Sequence, residues 1–228
     1  MPKLYRLDAS IRAVGSVTRS LADAFVAGAD GGFSDVIHRD VGTTPLPSSA
    51  WRDVITSMWT PPEQLTAGQG DAVALATELA DELIAADVFL FAIPLYNFGV
   101  AHHAKAWIDL VLSEPRFEPG AARPLEGRPA YLMTARGGGY GPGTPRHGWD
   151  HSTPYLQRIL QDQWGLDLTS VEVELTMAEI VPAMEALRPL AAKNLRDGLA
   201  TATRLGATAG NQQITSNAAG LSPINSHA

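Results

Sequence analysis

The chain has 228 residues, 45% apolar and 18% charged, which is enough apolar mass for a packed core in one large domain or two small ones. Its formal net charge of −7 argues against nucleic acid or an anionic membrane surface as the main partner, since both select clustered Lys and Arg. It contains no cysteine, which excludes disulfides, thiolate metal sites and cysteine nucleophiles.

The opening MPKLYRLDAS has no apolar core of a secretory signal, and no apolar run approaches the ~20 residues that span a bilayer. A cytoplasmic protein is expected. Lys3–Asp8 (KLYRLD), short and mixed, is the first expected strand. Thr18–Ala27 follows as a helix with Leu21, Phe25 and Val26 on one face and Thr18 as its cap. Ser34–Asp40 is a second strand centred on Val36 and Ile37. Thr66–Ala86 gives the clearest helical pattern. Ala72, Leu75, Ala76, Leu79, Leu83 and Ile84 form a stripe, and Glu78, Asp81 and Glu82 face away.

The run Asp87–Ile93 (DVFLFAI) is dense and unbroken, as is Pro129–Thr134 (PAYLMT), and such runs suit strands covered on both faces. Between them, Val100–Leu112 places Ala104, Trp107, Ile108 and Val111 at helical spacing. Thr153–Trp164 is a further helix. Ser170–Thr176 (SVEVELT) alternates Val171, Val173 and Leu175 with Glu172 and Glu174, which fits an edge strand with one wet side. The last helix is Ala178–Leu205, with Pro182 and Pro189 near its start or kinking it. Residues 1–210 are expected to form one domain, and 211–228 a polar tail, disordered or loosely attached.

Strands and helices alternate throughout, so the expected class is α/β, with right-handed crossovers. Five strands fit a flavodoxin-like parallel sheet of order 2-1-3-4-5, with helices on both faces. A ligand crevice then lies beyond the carboxyl ends of strands 1 and 3, and three loops share that rim. Ser10–Ser20 (SIRAVGSVTRS) offers hydroxyls, amides at a helix start and the charges of Arg12 and Arg19, the makings of an anion site. Taken alone it reads rather as an N-cap with solvated hydroxyls, since Ser/Thr-rich loops are common. It holds neither GxGxxG nor a P-loop pattern. Pro94–Val100 (PLYNFGV) offers Tyr96 and Phe98 as flat surfaces and Asn97 as donor and acceptor, which suits a flat heteroaromatic ring. Alternatively it is a turn in which Phe98 packs on the next helix. Ala135–Gly143 (ARGGGYGPG) lets the backbone approach a ligand closely, or is a flexible surface loop. Taken jointly, the three favour a site.

These residues resemble the FMN-dependent NADH:quinone oxidoreductases and azoreductases of the flavodoxin-like superfamily. The resemblance rests on Ser10-Ile11 with Ser16-x-Thr18, on PLYNFGV backed by Lys105-Ala106-Trp107-Ile108-Asp109, and on Thr134-Ala135-Arg136-Gly137-Gly138. It implies non-covalent FMN. Its phosphate would lie on Ser10, Ser16, Val17 and Thr18, and its ring along Pro94, Leu95, Tyr96, Asn97 and Phe98. Its pyrimidine side would meet Ala135, Arg136, Gly137 and Gly138. Two positions depart from the family's pattern, in which many members carry Ser at Ala135 and some carry a polar residue at Val17. Both bear on FMN affinity without removing the site.

The resemblance further implies a homodimer whose two subunits shape each substrate pocket. Thr144–Tyr155 and Met58–Pro62 are candidate walls, with Trp59, Tyr140 and Trp149 placed either to stack on a planar substrate or simply to pack. The implied reaction is ping-pong: NADH or NADPH gives a hydride to the flavin and leaves, and a quinone or azo compound takes its place. No side-chain nucleophile is required. His103 is a candidate proton donor or a partly exposed helix histidine. His102-His103 are adjacent, and His147 and His151 flank Gly148, so no metal site is expected. The absence of a G-x-S-x-G elbow counts against a serine hydrolase. A non-catalytic flavodoxin-like electron-transfer module remains the alternative.

Overall fold

The structure is a computed structural model that describes residues 1–211; the expected tail lies, from 212 onward, outside the described residues. Strands β1 (Lys3–Asp8), β2 (Asp35–Asp40), β3 (Val88–Ala92), β4 (Pro129–Ala135) and β5 (Asp167–Val173) form one sheet. Their spatial order is β2-β1-β3-β4-β5, and every neighbouring pair is parallel. This is the expected flavodoxin-like order. The winding reverses between β1 and β3, which leaves a crevice beyond their carboxyl ends.

Alternate residues of β1, β3, β4 and β5 feed two cores, while β2 adds only half-buried Ile37 to one of them. Tyr5, Leu7, Phe89, Phe91 and Leu132 pack under α2 (Ala50–Ser57), α3 (Ala67–Ile84), α4 (His102–Leu112) and α5 (Thr153–Gln157). Leu4, Leu90, Met133 and Val171 pack under α1 (Val17–Gly28) and α6 (Arg188–Gly210). Burial on both faces explains why β3 and β4 read as unbroken apolar runs. Helix α6 lies against α1 at backbone distance: a Cβ on Gly206 would stand 1.9 Å from the Phe25 carbonyl oxygen. Only glycine fits such a contact.

Several boundaries differ from expectation. β5 spans Asp167–Val173 rather than 170–176 because the chain turns at Leu175, whose φ is +66°. Leu175 is still buried, so the alternating pattern outlasts the strand. The expected helix at Thr153–Trp164 is α-helical only to Gln157 and continues as a π-turn over Arg158–Gln163. Ala178–Leu205 resolves into a 3-10 turn at Pro182–Leu187 and then α6, with Pro189 in its first turn, where a missing N–H costs nothing. Helix α2 was not expected. Gly99–Val100 does not open α4 but pairs back on Leu95–Tyr96 as a two-stranded hairpin.

Candidate functional site

The serine loop leaves β1 at Asp8 and enters α1. The helix cap is Ser16, not Thr18: Ser16 Oγ accepts the Arg19 N–H at 3.4 Å and shares a 3.2 Å bond with Thr18 Oγ1. The amides of Val17 and Thr18 meet no protein acceptor among the described residues. Free first-turn amides, two buried hydroxyls and the positive end of a 12-residue helix form an anion cradle. Arg19 does not add its charge to that cradle. Its guanidinium forks onto Asp40 with two 2.8 Å bonds and donates to the Ser10 and Arg12 carbonyls. It therefore braces the loop from behind.

Burial pulls the Asp40 carboxyl up. The bonds from Arg19 and Thr43 outweigh that and hold it well below the ordinary range. A depressed carboxylate contributes stability above its unfolded pKa of about 3.9 and loses that contribution as acid approaches the folded value. Asp40→Asn is expected to cost about 2 kcal/mol near pH 7, with the gap to the parent closing below about pH 4. Urea denaturation of both proteins at neutral and acid pH measures it. A gap that does not vary with pH would refute the brace.

The second loop is a tight hairpin. Asn97 and Phe98 are its two turn residues, with φ of +48° and +68°. Positive φ at both central positions is the I′ turn that suits the twist of a hairpin. For phenylalanine this conformation costs on the order of 1–3 kcal/mol. The strain is held in place by the Phe98 carbonyl, which accepts the His151 N–H at 2.9 Å. The tip also packs against the 140s: Trp149 stands edge-on at 5.4 Å and Tyr140 lies at 6.4 Å. Asn97 is exposed, and its carboxamide bonds to no described residue. Tyr96 ties this hairpin to the serine loop, sharing a 3.3 Å bond with Ser10 Oγ and accepting the Ile11 N–H at 3.3 Å. Pro94 and Leu95 are buried beneath it.

The third loop leaves β4 after Ala135, itself buried and paired with Val173. Arg136 turns inward. Its guanidinium meets Asp150 at 2.7 Å, Glu172 at 2.6 Å, Glu174 at 3.2 Å and Thr153 at 2.9 Å, and the backbone N–H of Arg136 donates to the Val173 carbonyl. Arg136 thus staples the loop to the sheet edge and the 150s, with neither charge nor amide turned to a ligand. Burial disfavours the charged guanidinium, but the surrounding carboxylates, Glu172 foremost, push its pKa up and keep it charged. Beyond this staple the amides of Gly137, Gly138 and Gly139 meet no protein acceptor among the described residues. The buried Thr134 Oγ1, near the end of β4, is also without a partner.

The three loops therefore share one rim, linked by Ser10–Tyr96 and Phe98–Tyr140. Trp149 is half exposed on that rim and Tyr140 is buried. Trp59 is exposed beyond the end of α2, in no aromatic pair with either. His103 is in the first turn of α4, its ring 3.6 Å from that of His102; burial, then the neighbouring His102 charge, pushes its pKa down. Sequence reasoning missed the Arg19–Asp40 brace and the role of Gly42. A Cβ on Gly42 would stand 2.1 Å from the Ser10 carbonyl oxygen.

A family model described as the flavodoxin-like fold matches residues 2–195. A Frankia casuarinae protein named FMN-dependent NADH:quinone oxidoreductase is 39% identical over 188 residues, covering 81% of this chain and 89% of its own. A Streptomyces avermitilis protein of the same name is 35% identical over 212 residues, covering 90% and 97%. Among solved structures, an azoreductase from Bacillus anthracis superposes with a TM-score of 0.72 at 22% identity, covering 91% of this chain and all of that one. A second, an FMN-dependent NADH-azoreductase from the same species in complex with FMN, gives 0.66 at 17% identity. Sheet order, rim and relatives agree: the chain belongs to the flavodoxin-like family of FMN-dependent NADH:quinone oxidoreductases.

Proposed function

We propose that the rim holds FMN non-covalently and that the chain carries reducing equivalents from NADH or NADPH to quinones or azo compounds. One observation supports the reading: two loops of one rim carry amides with no protein acceptor among the described residues, at Val17–Thr18 and at Gly137–Gly139, and the strained Asn97-Phe98 tip belongs to the third loop of that rim. The donor set fits the group. The serine-loop amides with Ser10, Ser16 and Thr18 suit a phosphate. Pro94–Phe98 suits a flat ring, and the glycine amides suit its polar pyrimidine edge. Bound FMN would supply the hydride chemistry itself.

The chain's own residues bind and orient. Phe98 and Trp149 offer apolar faces for planar partners, and donor and acceptor use the one crevice in turn, a ping-pong order. His103 is the proposed proton carrier where an acceptor needs one. We assign this activity to a cytoplasmic homodimer in which the second subunit closes the crevice, with Trp59 contributing to the pocket wall. The decisive experiment is anaerobic. Purified protein supplied with FMN is expected to turn yellow, bleach on NADH or NADPH, and regain colour with a quinone. Colour without bleaching would mean an electron-transfer module instead. No uptake of FMN would end the proposal. Asn97→Ala is expected to lower flavin affinity on the order of tenfold, read by flavin fluorescence titration; unchanged affinity would move the hairpin off the flavin.

A further inference from the structure

We infer that Arg146 recognises an acidic substituent, sulfonate or carboxylate, carried directly on a flat aromatic electron acceptor. The inference rests on the flavin-dependent reductase reading above and goes on to name its acceptor class. Arg146 bridges two loops of the rim. Its guanidinium carbon lies 5.7 Å from the centre of the Phe98 ring. Its Nη1 is 3.0 Å from where a Cβ on Gly138 would stand.

Apart from its place over the Phe98 ring, the charge of Arg146 is unpaired: it takes part in no ion pair or side-chain hydrogen bond among the described residues. The nearby carboxylates do not compete for it, because Asp150, Glu172 and Glu174 are gathered on Arg136. By contrast, Arg19 and Arg39 are both forked onto carboxylates. An exposed, unpaired guanidinium beside half-exposed Phe98 and Trp149 matches a ligand with two features. Its flat ring lies on the aromatic surfaces, and its anion reaches the planar fork. The nicotinamide donor also carries anions, but its pyrophosphate is separated from its reacting ring by a ribose. Arg146 sits against the ring-lining residues themselves, which favours an acid attached to the ring. The chain's −7 charge otherwise repels such acceptors, so a local cation at the crevice makes the difference.

The test uses FMN-loaded protein and a matched pair of acceptors, naphthoquinone and naphthoquinone sulfonate. Arg146→Gln is expected to lower kcat/KM for the sulfonate by about fivefold to tenfold, mostly through KM, and to leave the neutral quinone within about twofold. Arg146→Lys should restore most of the loss, and rising salt should erase the parent's advantage. An equal fall for both acceptors, or no fall for the sulfonate, would overturn the assignment. So would a rise confined to the KM for NADH, which would place the charge on the donor. Calorimetric binding of naphthalene sulfonate separates the two layers because it needs no turnover. A fivefold to tenfold weaker affinity in Arg146→Gln supports the anion site even if neither quinone is reduced, in which case the reductase reading alone falls. Equal affinity in both proteins counts against Arg146.

Discussion

Replacing Arg136 with methionine is expected to cost about 3–5 kcal/mol of stability near pH 7. The side chain is 8% exposed and stands between three carboxylates. Methionine fills similar volume but leaves Asp150, Glu172 and Glu174 crowded together with no cation among them. Deleting the buried partner of such a cluster costs more than the pairs contribute net, because Asp150 and Glu174 stay largely desolvated while the more exposed Glu172 is partly screened by water.

The pH dependence identifies the cause. In the parent, burial pulls the Asp150 carboxyl up, but bonds from the Thr153 and Ser152 amides and the Arg136 charge hold it below its ordinary value. Its contribution is present above the unfolded pKa of about 3.9 and fades only in acid. In the variant, mutual repulsion raises the carboxylate pKa values, so the folded state binds protons more readily than the unfolded one. Its stability then increases as pH falls from about 7 to about 5, while the parent's does not. Urea denaturation across that range measures both slopes. A deficit independent of pH would mean that the loss is packing rather than charge. The same variant should hold FMN less tightly, because the free glycine amides hang directly from this staple.

None of that staple was legible in the sequence. Asp150, Glu172 and Glu174 lie 14 or more residues along the chain from Arg136, and no local spacing connects them; the parallel pairing of β4 with β5 brings up Glu172 and Glu174, and the turn before α5 brings up Asp150. Arg136 accordingly read as a ligand-facing residue of a glycine loop. The sheet was legible for the opposite reason: strands buried on both faces must be apolar at every position, so VFLFA and AYLMTA stand out. Helix α2 went unread because it is eight residues long and buries only Ala50 and Val54. The hairpin was hidden by its turn residues. Asn followed by Gly is the usual mark of a I′ turn, and here phenylalanine takes the second position despite its φ of +68°. A local rule broken in this way is most often broken at a working site. The three rim loops were legible as a set, through their places after strands 1, 3 and 4, but the brace behind the first of them was not.

That brace leads to the second large effect. Gly42→Ala is expected to weaken FMN binding by on the order of tenfold to a hundredfold, at a stability cost of about 1–3 kcal/mol. Gly42 follows β2 and donates its N–H to the Asp8 carbonyl at 3.1 Å, where the serine loop begins. A methyl group there would stand 2.1 Å from the Ser10 carbonyl oxygen and 2.6 Å from its carbon. Those are backbone atoms, so no rotamer change relieves the clash, and either the turn or the loop must move by more than an ångström. The turn is the less free to yield. Asp40 accepts the Gly42 and Thr43 amides, and its carboxylate is fixed by Arg19. The loop yields instead, carrying Ser10 away from Tyr96 and shifting the cradle at Ser16–Thr18. Fluorescence titration of FMN, run beside thermal melts of the apo proteins, separates the two effects. A variant that melts a few degrees lower but binds FMN as the parent does would show that the serine loop does not hold the cofactor. One that loses FMN while keeping its far-ultraviolet spectrum would show that the position of the loop, more than its residue types, makes the site.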